Sequence, residues 1–208
     1  MGVELRDRVF GAVGFGGIAQ ATAALLAPFG MAELIAYDPF CKESVAKAAG
    51  VRLVSLDELM ETADFISIHC PLNDATRGLI GAEQLAKVKP GSFLINTARG
   101  GIVDEAALAE ALASGKLAGA ALDCFEAEPV LEPNTPLTKF PGLISAPHCI
   151  GWTAELFRDI GSCACASLVA FASGERPARG CVNPEVFERP SFQAKWKRIM
   201  AATSGKDL

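Results

Sequence analysis

The sequence lacks most features of an exported, membrane-bound or nucleic-acid-binding protein. Its 208 residues contain only 7% aromatic side chains, and the formal net charge is −5. No apolar run reaches the roughly 18 to 20 residues that a membrane-spanning helix needs. The first eight residues are rich in charge and have no apolar segment typical of a signal peptide. We therefore expect a cytoplasmic protein without membrane partners. Nucleic-acid partners are not expected either, because an acidic chain has no overall attraction for phosphate backbones.

Patterns for metal binding are absent too. The chain has seven cysteines without a CxxC pair and only two histidines. Zinc sites need clustered Cys and His ligands, so no metal ion is expected and the cysteines are predicted to be reduced thiols. What the chain does have is apolar material, 50% of its residues against 21% charged ones, which is enough for a packed core.

Short apolar runs alternate with helical stretches along the chain. Strands are predicted over 9–13, 34–37, 65–68, 93–96, 118–122 and 143–145, and helices over 17–29, 42–49, 56–62, 83–88, 105–114 and 153–172. Strands that are apolar throughout are typical of a parallel sheet covered on both faces. The pattern predicts an α/β fold with a doubly wound parallel sheet of the Rossmann type. A proline-rich loop is expected over 125–141, and a polar tail follows the break at 174–177.

The first strand leads into a glycine-rich turn and an alanine-rich helix. Gly14 allows the tight turn, Gly16 lets a pyrophosphate approach the backbone, and Ala19 permits close packing of helix on strand. The helix N-terminus supplies amide donors for phosphates. Asp38 ends the second strand, where its carboxylate can accept hydrogen bonds from the adenosine ribose and would repel a 2′-phosphate. NAD is therefore favoured over NADP.

Three polar segments follow later strands: Asn-Thr-Ala-Arg-Gly-Gly at 96–101, Leu-Asp-Cys-Phe-Glu-Ala-Glu-Pro at 122–129 and Ala-Pro-His-Cys-Ile-Gly-Trp-Thr at 146–153. Because ligands of open α/β sheets bind at the carboxyl ends of strands, all three can face one crevice. Together with the glycine turn and the segments 69–72 and 76–80, they resemble the nucleotide-binding domain of the D-isomer-specific 2-hydroxyacid dehydrogenases. This family includes phosphoglycerate dehydrogenase and hydroxypyruvate reductase. The resemblance extends from about residue 5 to residue 186.

The resemblance implies a catalytic trio of Arg99, Glu128 and His148. A histidine can exchange the hydroxyl proton of a 2-hydroxy acid, and a carboxylate on its other ring nitrogen would fix the tautomer and favour the imidazolium. Arg99 offers a planar, charged fork for the substrate carboxylate. The reaction implied is a reversible hydride transfer between NAD and a D-2-hydroxy acid or its 2-keto acid.

The resemblance also implies a set of cofactor-binding residues: Gly14, Gly16, Gly17, Ile18, Asp38, Cys70, Pro71, Thr76, Thr97, Ala98, Arg99, Asp123 and His148. Among them, Asp123 resembles the family's aspartate that contacts the nicotinamide carboxamide. For His69 two roles stay open, contact with the cofactor ribose or capping of its strand. Cys124 and Cys149 flank the site and are expected to serve packing.

In domain terms, the resemblance implies an NAD-binding domain over 1–176 and a C-terminal remnant of a substrate domain over 177–208, with the N-terminal substrate-domain segment missing. A homodimer joined through the NAD-binding domain is expected. Two other functions are weighed. A catalytically inactive NAD-binding regulatory module, similar to co-repressors that resemble the family, would need no substrate domain. Formate dehydrogenase is disfavoured, because Glu128 stands where such relatives have Gln.

Overall fold

The structure is a computed structural model that describes residues 2–128, 137 and 140–203. The chain forms two compact units, Met1–Ile150 and Gly151–Leu208. Within the described ranges, none of the helices has both the length and the hydropathy of a transmembrane segment.

The first unit is built on a seven-stranded parallel sheet, in the order β3-β2-β1-β4-β5-β6-β7. The strands are β1 Val9–Val13, β2 Glu33–Tyr37, β3 Arg52–Leu53, β4 Phe65–Ile68, β5 Ser92–Asn96, β6 Leu117–Leu122 and β7 Leu143–Ser145. The direction in which strands are added reverses between β1 and β4, which creates a crevice at their carboxyl ends. The predicted fold class is confirmed. Among these seven strands, the two-residue β3 was missed, because so short a strand leaves no pattern of its own.

Five α-helices lie between these strands in the part of the chain that the structure describes: α1 Gly17–Leu26, α2 Glu43–Ala48, α3 Leu56–Thr62, α4 Ala82–Lys87 and α5 Glu105–Ala113. The helix predicted over 17–29 ends as a 3₁₀ turn, Ala27–Phe29, which contains a proline. Asp104 caps α5 as expected, since its carboxylate accepts the amide proton of Ala107. The predicted proline-rich loop over 125–141 falls largely outside the described residues.

The core lies on both faces of the sheet. Successive residues of β1 alternate between the faces: Phe10 and Ala12 pack with Ala19 of α1, whereas Val13 packs with Leu59 of α3. Burial of each large aliphatic side chain stabilises the fold by about 1.5–3 kcal/mol. Both faces are covered by helices, which is why the strands carry few polar residues before their carboxyl ends.

The second unit contains α6 Ala154–Ala172, a 3₁₀ segment Pro184–Glu188 and α7 Pro190–Thr203. The tail was predicted to be polar, and the helix that it forms over 190–203 was not predicted. Although that stretch is polar in average composition, Phe192 and Trp196 lie four residues apart on one helical face, and their rings pack against Phe171 and Phe187 at centroid distances of 5.3–6.2 Å. Phe192 and Trp196 thus hold the helix in place, although the average hydropathy of the stretch gives no sign of this packing.

Candidate active site

The glycine turn after β1 is constrained at its first position. Gly14 has φ +93°, and a Cβ there would lie 2.6 Å from the backbone nitrogen of Cys70. A side chain is therefore excluded by both conformation and space. At Gly16 and Gly17, in contrast, no described heavy atom lies within 4 Å of a built Cβ. The turn thus packs tightly on the sheet below and leaves open room above the N-terminus of α1, where a pyrophosphate would fit.

Asp38 ties this turn to the end of β2. Its Oδ2 accepts a hydrogen bond from the backbone N–H of Phe15 at 2.8 Å. Its Oδ1 accepts from the N–H groups of Phe40, at 2.8 Å, and Cys41, at 3.1 Å. Each carboxylate oxygen has two lone pairs, so acceptor capacity toward a ribose remains. Asp38, which the sequence predicts to bind the ribose, is thereby held at a fixed place beside the glycine turn.

Two clefts adjoin the turn and share the wall formed by His69, Cys70 and Pro71. The first, of about 320 Å³, is lined by residues from β1, β2 and the loop after β4, including Gly14, Gly16, Asp38, Phe40 and Thr76. The second, of about 520 Å³, is lined by Ile18, Thr97, Ala98 and Arg99 among others. Both volumes lie in the range of ligand pockets. The clefts therefore bring together most of the predicted cofactor residues; Gly17, Asp123 and His148 are not part of these two linings.

Thr76 holds the shared wall in shape. Its hydroxyl donates to the carbonyl oxygen of Pro71 at 2.5 Å and accepts from the N–H of Asn73 at 2.9 Å. His69 lies in the same wall, with Nε2 2.9 Å from the hydroxyl of buried Ser67. Burial lowers the pKa of His69, so this imidazole is neutral near pH 7. His69 thus lines both clefts while it is bonded to its own strand, and Ser67 is a partner that the sequence pattern did not reveal.

The turn after β5 is organised by Asn96, which is only 2% exposed. Its Nδ2 donates to the backbone oxygen of Arg99 at 2.9 Å, and its Oδ1 accepts from the N–H of Ala98 at 3.0 Å. One carboxamide therefore closes the turn that presents the Arg99 side chain. The motif at 96–101 begins with Asn96 but does not by itself indicate this role; the signal for it is a polar residue at the buried end of an apolar strand.

The turn after β6 carries Glu128. Its Oε1 accepts from the backbone N–H of Phe125 at 2.9 Å. Its Oε2 lies 2.7 Å from Nδ1 of His148, which follows β7. These two hydrogen bonds, the bond to His148 foremost, lower the pKa of Glu128, and the charge of Arg99 adds to the effect. The structure thus brings Glu128 and His148 into direct contact within the electrostatic range of Arg99.

His148 adopts an uncommon backbone conformation, with φ +56°. The following two residues are fixed by Asp123, which is buried: its Oδ1 accepts from the N–H of Cys149 at 2.9 Å and from that of Ile150 at 3.2 Å. Asp123 therefore anchors the chain directly after His148, and its predicted contact with the nicotinamide stays a prediction. Cys124 is also buried, and burial together with nearby Glu128 and Asp123 raises the pKa of its thiol to about 11, which suits a packing role.

A parallel sheet that reverses between β1 and β4, a glycine turn opening a helix, and an aspartate at the end of β2 define a dinucleotide-binding domain of the Rossmann type. Comparison with known families is specific. The chain belongs to the family described as "D-isomer specific 2-hydroxyacid dehydrogenase, NAD binding domain", whose model matches residues 1–149.

Individual relatives agree with this family. The chain is 42% identical over 194 residues to glyoxylate reductase of Aeropyrum pernix, covering 92% of this chain and 57% of that one. It is 40% identical over 193 residues to D-3-phosphoglycerate dehydrogenase of Archaeoglobus fulgidus, covering 93% of this chain and 36% of the relative. The structure of D-lactate dehydrogenase with NAD+ from Lactobacillus jensenii superposes with a TM-score of 0.78 at 30% identity, over 87% of this chain and 57% of that one. The chain thus spans about half the length of such relatives.

Proposed function

We propose that this chain carries the NAD-binding and proton-transfer parts of an NAD-dependent oxidoreductase that acts on the CH–OH group of a D-2-hydroxy acid. The observation that carries the proposal is the 2.7 Å contact between Nδ1 of His148 and Oε2 of Glu128, beside the turn that presents Arg99. An NAD-binding domain needs no such pair merely to hold its cofactor. The relatives' names, which are those of dehydrogenases and reductases, do not favour an inactive regulatory module.

When bound, NAD supplies the hydride acceptor for the substrate's second carbon, or the hydride donor in the reverse direction. As the hydride leaves that carbon, Nε2 of His148 takes the proton of the hydroxyl group, and a carbonyl remains. Glu128, bonded to Nδ1, fixes the tautomer that leaves Nε2 free to accept, and it stabilises the imidazolium that forms. Arg99 binds the substrate carboxylate and orients the reacting carbon.

We assign cofactor binding to the two adjoining clefts. Asp38 lies in the 320 Å³ cleft and would hold the adenosine ribose, whereas Ile18, Thr97 and Ala98 line the 520 Å³ cleft and would hold the nicotinamide half. The carboxylate of Asp38 favours NAD over NADP, because a 2′-phosphate would meet like charge.

We propose that the NAD-binding domain extends over 1–176 and that 177–208 are the remnant of a substrate domain.

We further propose a homodimer that uses α6. Apolar residues Phe157, Ile160, Leu168 and Phe171 recur at helical spacing, and the first three are 56%, 58% and 70% exposed. Large exposed apolar stripes of this kind mark interaction surfaces. Sedimentation velocity should give a dimer that Ile160→Asp converts to a monomer; a monomeric parent chain would contradict the proposal.

All seven cysteines lie in the described ranges as free thiols, which fits a reducing, cytoplasmic compartment.

The function is tested in two steps. First, NADH fluorescence is titrated with the chain; no binding at millimolar NADH would refute the cofactor assignment. Second, NADH oxidation is followed with glyoxylate, pyruvate and 3-phosphohydroxypyruvate, the 2-oxo acids that correspond to the relatives' names. Turnover that is lost in His148→Gln while NADH binding persists would support the enzyme. Turnover that persists in a folded His148→Gln variant would contradict it.

A further inference from the structure

We propose that Glu105 and Glu126 are positioning residues, a reciprocal clasp that holds Glu128 in the orientation required to bond His148. This inference rests on the proposed function, since it assumes that the pair of Glu128 and His148 is the catalytic one. It adds two carboxylates to the site, neither of which lines the two clefts assigned to the cofactor.

The clasp consists of two hydrogen bonds that cross between α5 and the turn after β6. Oε1 of Glu105 accepts from the backbone N–H of Glu126 at 2.6 Å. Oε1 of Glu126 accepts from the backbone N–H of Glu105 at 3.3 Å. Each residue thus gives its amide to the other's carboxylate, and the two segments are bonded in both directions.

One side of the clasp is rigid. Glu105 is the first residue of α5, and its helix buries Ala107, Leu108 and Ala111 in the core. Asp104 adds a side-chain cap at the same end. Three carboxylates at one place repel one another, and the free amides at the helix N-terminus offset that repulsion. The turn after β6 is therefore tethered to a capped helix that is packed into the core.

The other side of the clasp leads directly to Glu128. The peptide group between Phe125 and Glu126 is fixed at both ends: its N–H is bound by Glu105, and its carbonyl oxygen packs on Gly100, where a built Cβ would lie only 1.8 Å away. The preceding amide, the N–H of Phe125, is the donor to Oε1 of Glu128. Fixing this short stretch therefore aims the amide that holds one carboxylate oxygen of Glu128.

The chemical consequence is that the two oxygens of the Glu128 carboxylate have different partners. Phe125 occupies Oε1, and Oε2 is left for Nδ1 of His148. If the clasp opens, the Phe125 amide is free to turn away, and the carboxylate of Glu128 loses the bond that sets its rotamer. His148 then loses a fixed acceptor at Nδ1, and its neutral form shifts toward the Nε2-protonated tautomer that cannot accept a proton at Nε2.

The test uses long-range ¹H–¹⁵N spectra of histidine side chains at about pH 9, well above the ordinary histidine pKa of about 6.5. Only two histidines are present, so a His148→Gln spectrum assigns the signals. The parent chain should show His148 mainly protonated at Nδ1, and Glu128→Ala should abolish that signature. In Glu126→Ala and in Glu105→Ala the ratio of Nδ1-H to Nε2-H forms should fall about fivefold, the factor for one lost hydrogen bond.

Controls separate positioning from general damage. Glu126→Gln keeps a carbonyl oxygen as acceptor and should restore the parent ratio. Glu110→Ala removes an exposed glutamate from the same helix and should leave it unchanged. The two alanine variants are independent, so a failure of one to fold, seen by circular dichroism, leaves the other decisive. A parent ratio in both folded alanine variants, or a parent chain without the Nδ1-H signature, would overturn the proposal. No turnover is needed, so failure of the proposed function would register separately.

Discussion

Gly14 offers a sharp test of how the cofactor turn is built, because its two constraints can be separated. Gly14→Ala introduces a Cβ at φ +93° and places it 2.6 Å from the Cys70 nitrogen. Gly50→Ala introduces a Cβ at φ +70° with no described atom within 4 Å, so it imposes the conformational cost alone. Gly17→Ala imposes neither and adds helix propensity at the first residue of α1.

The magnitudes follow from these environments. The left-handed conformation costs a residue with a Cβ about 1–2 kcal/mol, and forcing an extra carbon against packed backbone costs about 1–3 kcal/mol more. At about 2–4 °C per kcal/mol, Gly50→Ala should lower Tm by about 2–8 °C and Gly14→Ala by about 4–20 °C. Gly17→Ala should leave Tm unchanged or raise it slightly.

Thermal unfolding followed by circular dichroism measures these differences, and NADH titration below the transition measures their effect on the site. Gly14→Ala should weaken the binding of NADH by about tenfold or more, because the turn must move away from Cys70. A tenfold change in Kd corresponds to about 1.4 kcal/mol of binding free energy. Gly50→Ala should leave NADH affinity unchanged. If Gly14→Ala costs no more stability than Gly50→Ala, then the close approach of the turn to Cys70 is not what requires glycine there.

Three further predictions concern single carboxylates. Asp38→Asn removes the charge beside the ribose site, so the preference for NADH over NADPH in fluorescence titrations should narrow by about tenfold or more; an unchanged ratio would contradict the role of that charge. Glu128→Gln should lower kcat by about a hundredfold or more with little effect on the Kd of NADH, and an equal loss in both would point to misfolding instead. Asp64 accepts from the N–H of Val9 and pairs with Lys89 at 2.8 Å; burial by itself would raise its pKa, but these partners lower the pKa below 3.8. A lowered pKa stabilises the fold at pH values above the ordinary carboxyl pKa, and this stabilisation is lost as pH falls through the lowered pKa. Asp64→Asn should therefore cost about 1–3 kcal/mol at pH 7 in denaturant unfolding, and progressively less as the pH falls below 3.8.

The fold was predictable because its signals are local. Each buried strand is an apolar run, and the helix start at Asp104 has a side chain suited to capping. What escaped prediction depends on distant partners. The helix α7 is held by ring contacts between Trp196 and Phe171, which lie 25 residues apart in the sequence. Average composition over 190–203 carries no trace of those contacts.

The same distinction applies to the site. Its residue types and their order indicated a carboxylate, an imidazole and a guanidinium after successive strands, and the structure places Glu128 against His148. The contacts that support these side chains were harder to predict. Asn96 closes its own turn, and its place at the buried end of an apolar strand was the local signal for it. Asp123 acts through amides 26 and 27 residues further on, and Glu105 through an amide of the neighbouring turn. The last two roles depend on which strands are adjacent, and the sequence pattern does not show that.

The sheet order also explains why cofactor binding and proton transfer should respond separately to mutation. The cofactor turn and Asp38 follow β1 and β2, on one side of the reversal between β1 and β4, whereas Arg99, Glu128 and His148 follow β5, β6 and β7 on the other side. Strands β5, β6 and β7 are neighbours in the sheet, so the turns that follow them meet: Phe125 packs on Gly100, the clasp joins α5 to the turn after β6, and Glu128 contacts His148. Only the wall of His69, Cys70 and Pro71 is shared by the two clefts. Substitutions in the clasp, whose two glutamates line neither cleft, should therefore change the state of His148 while NADH binding persists, and substitutions in the shared wall should disturb both.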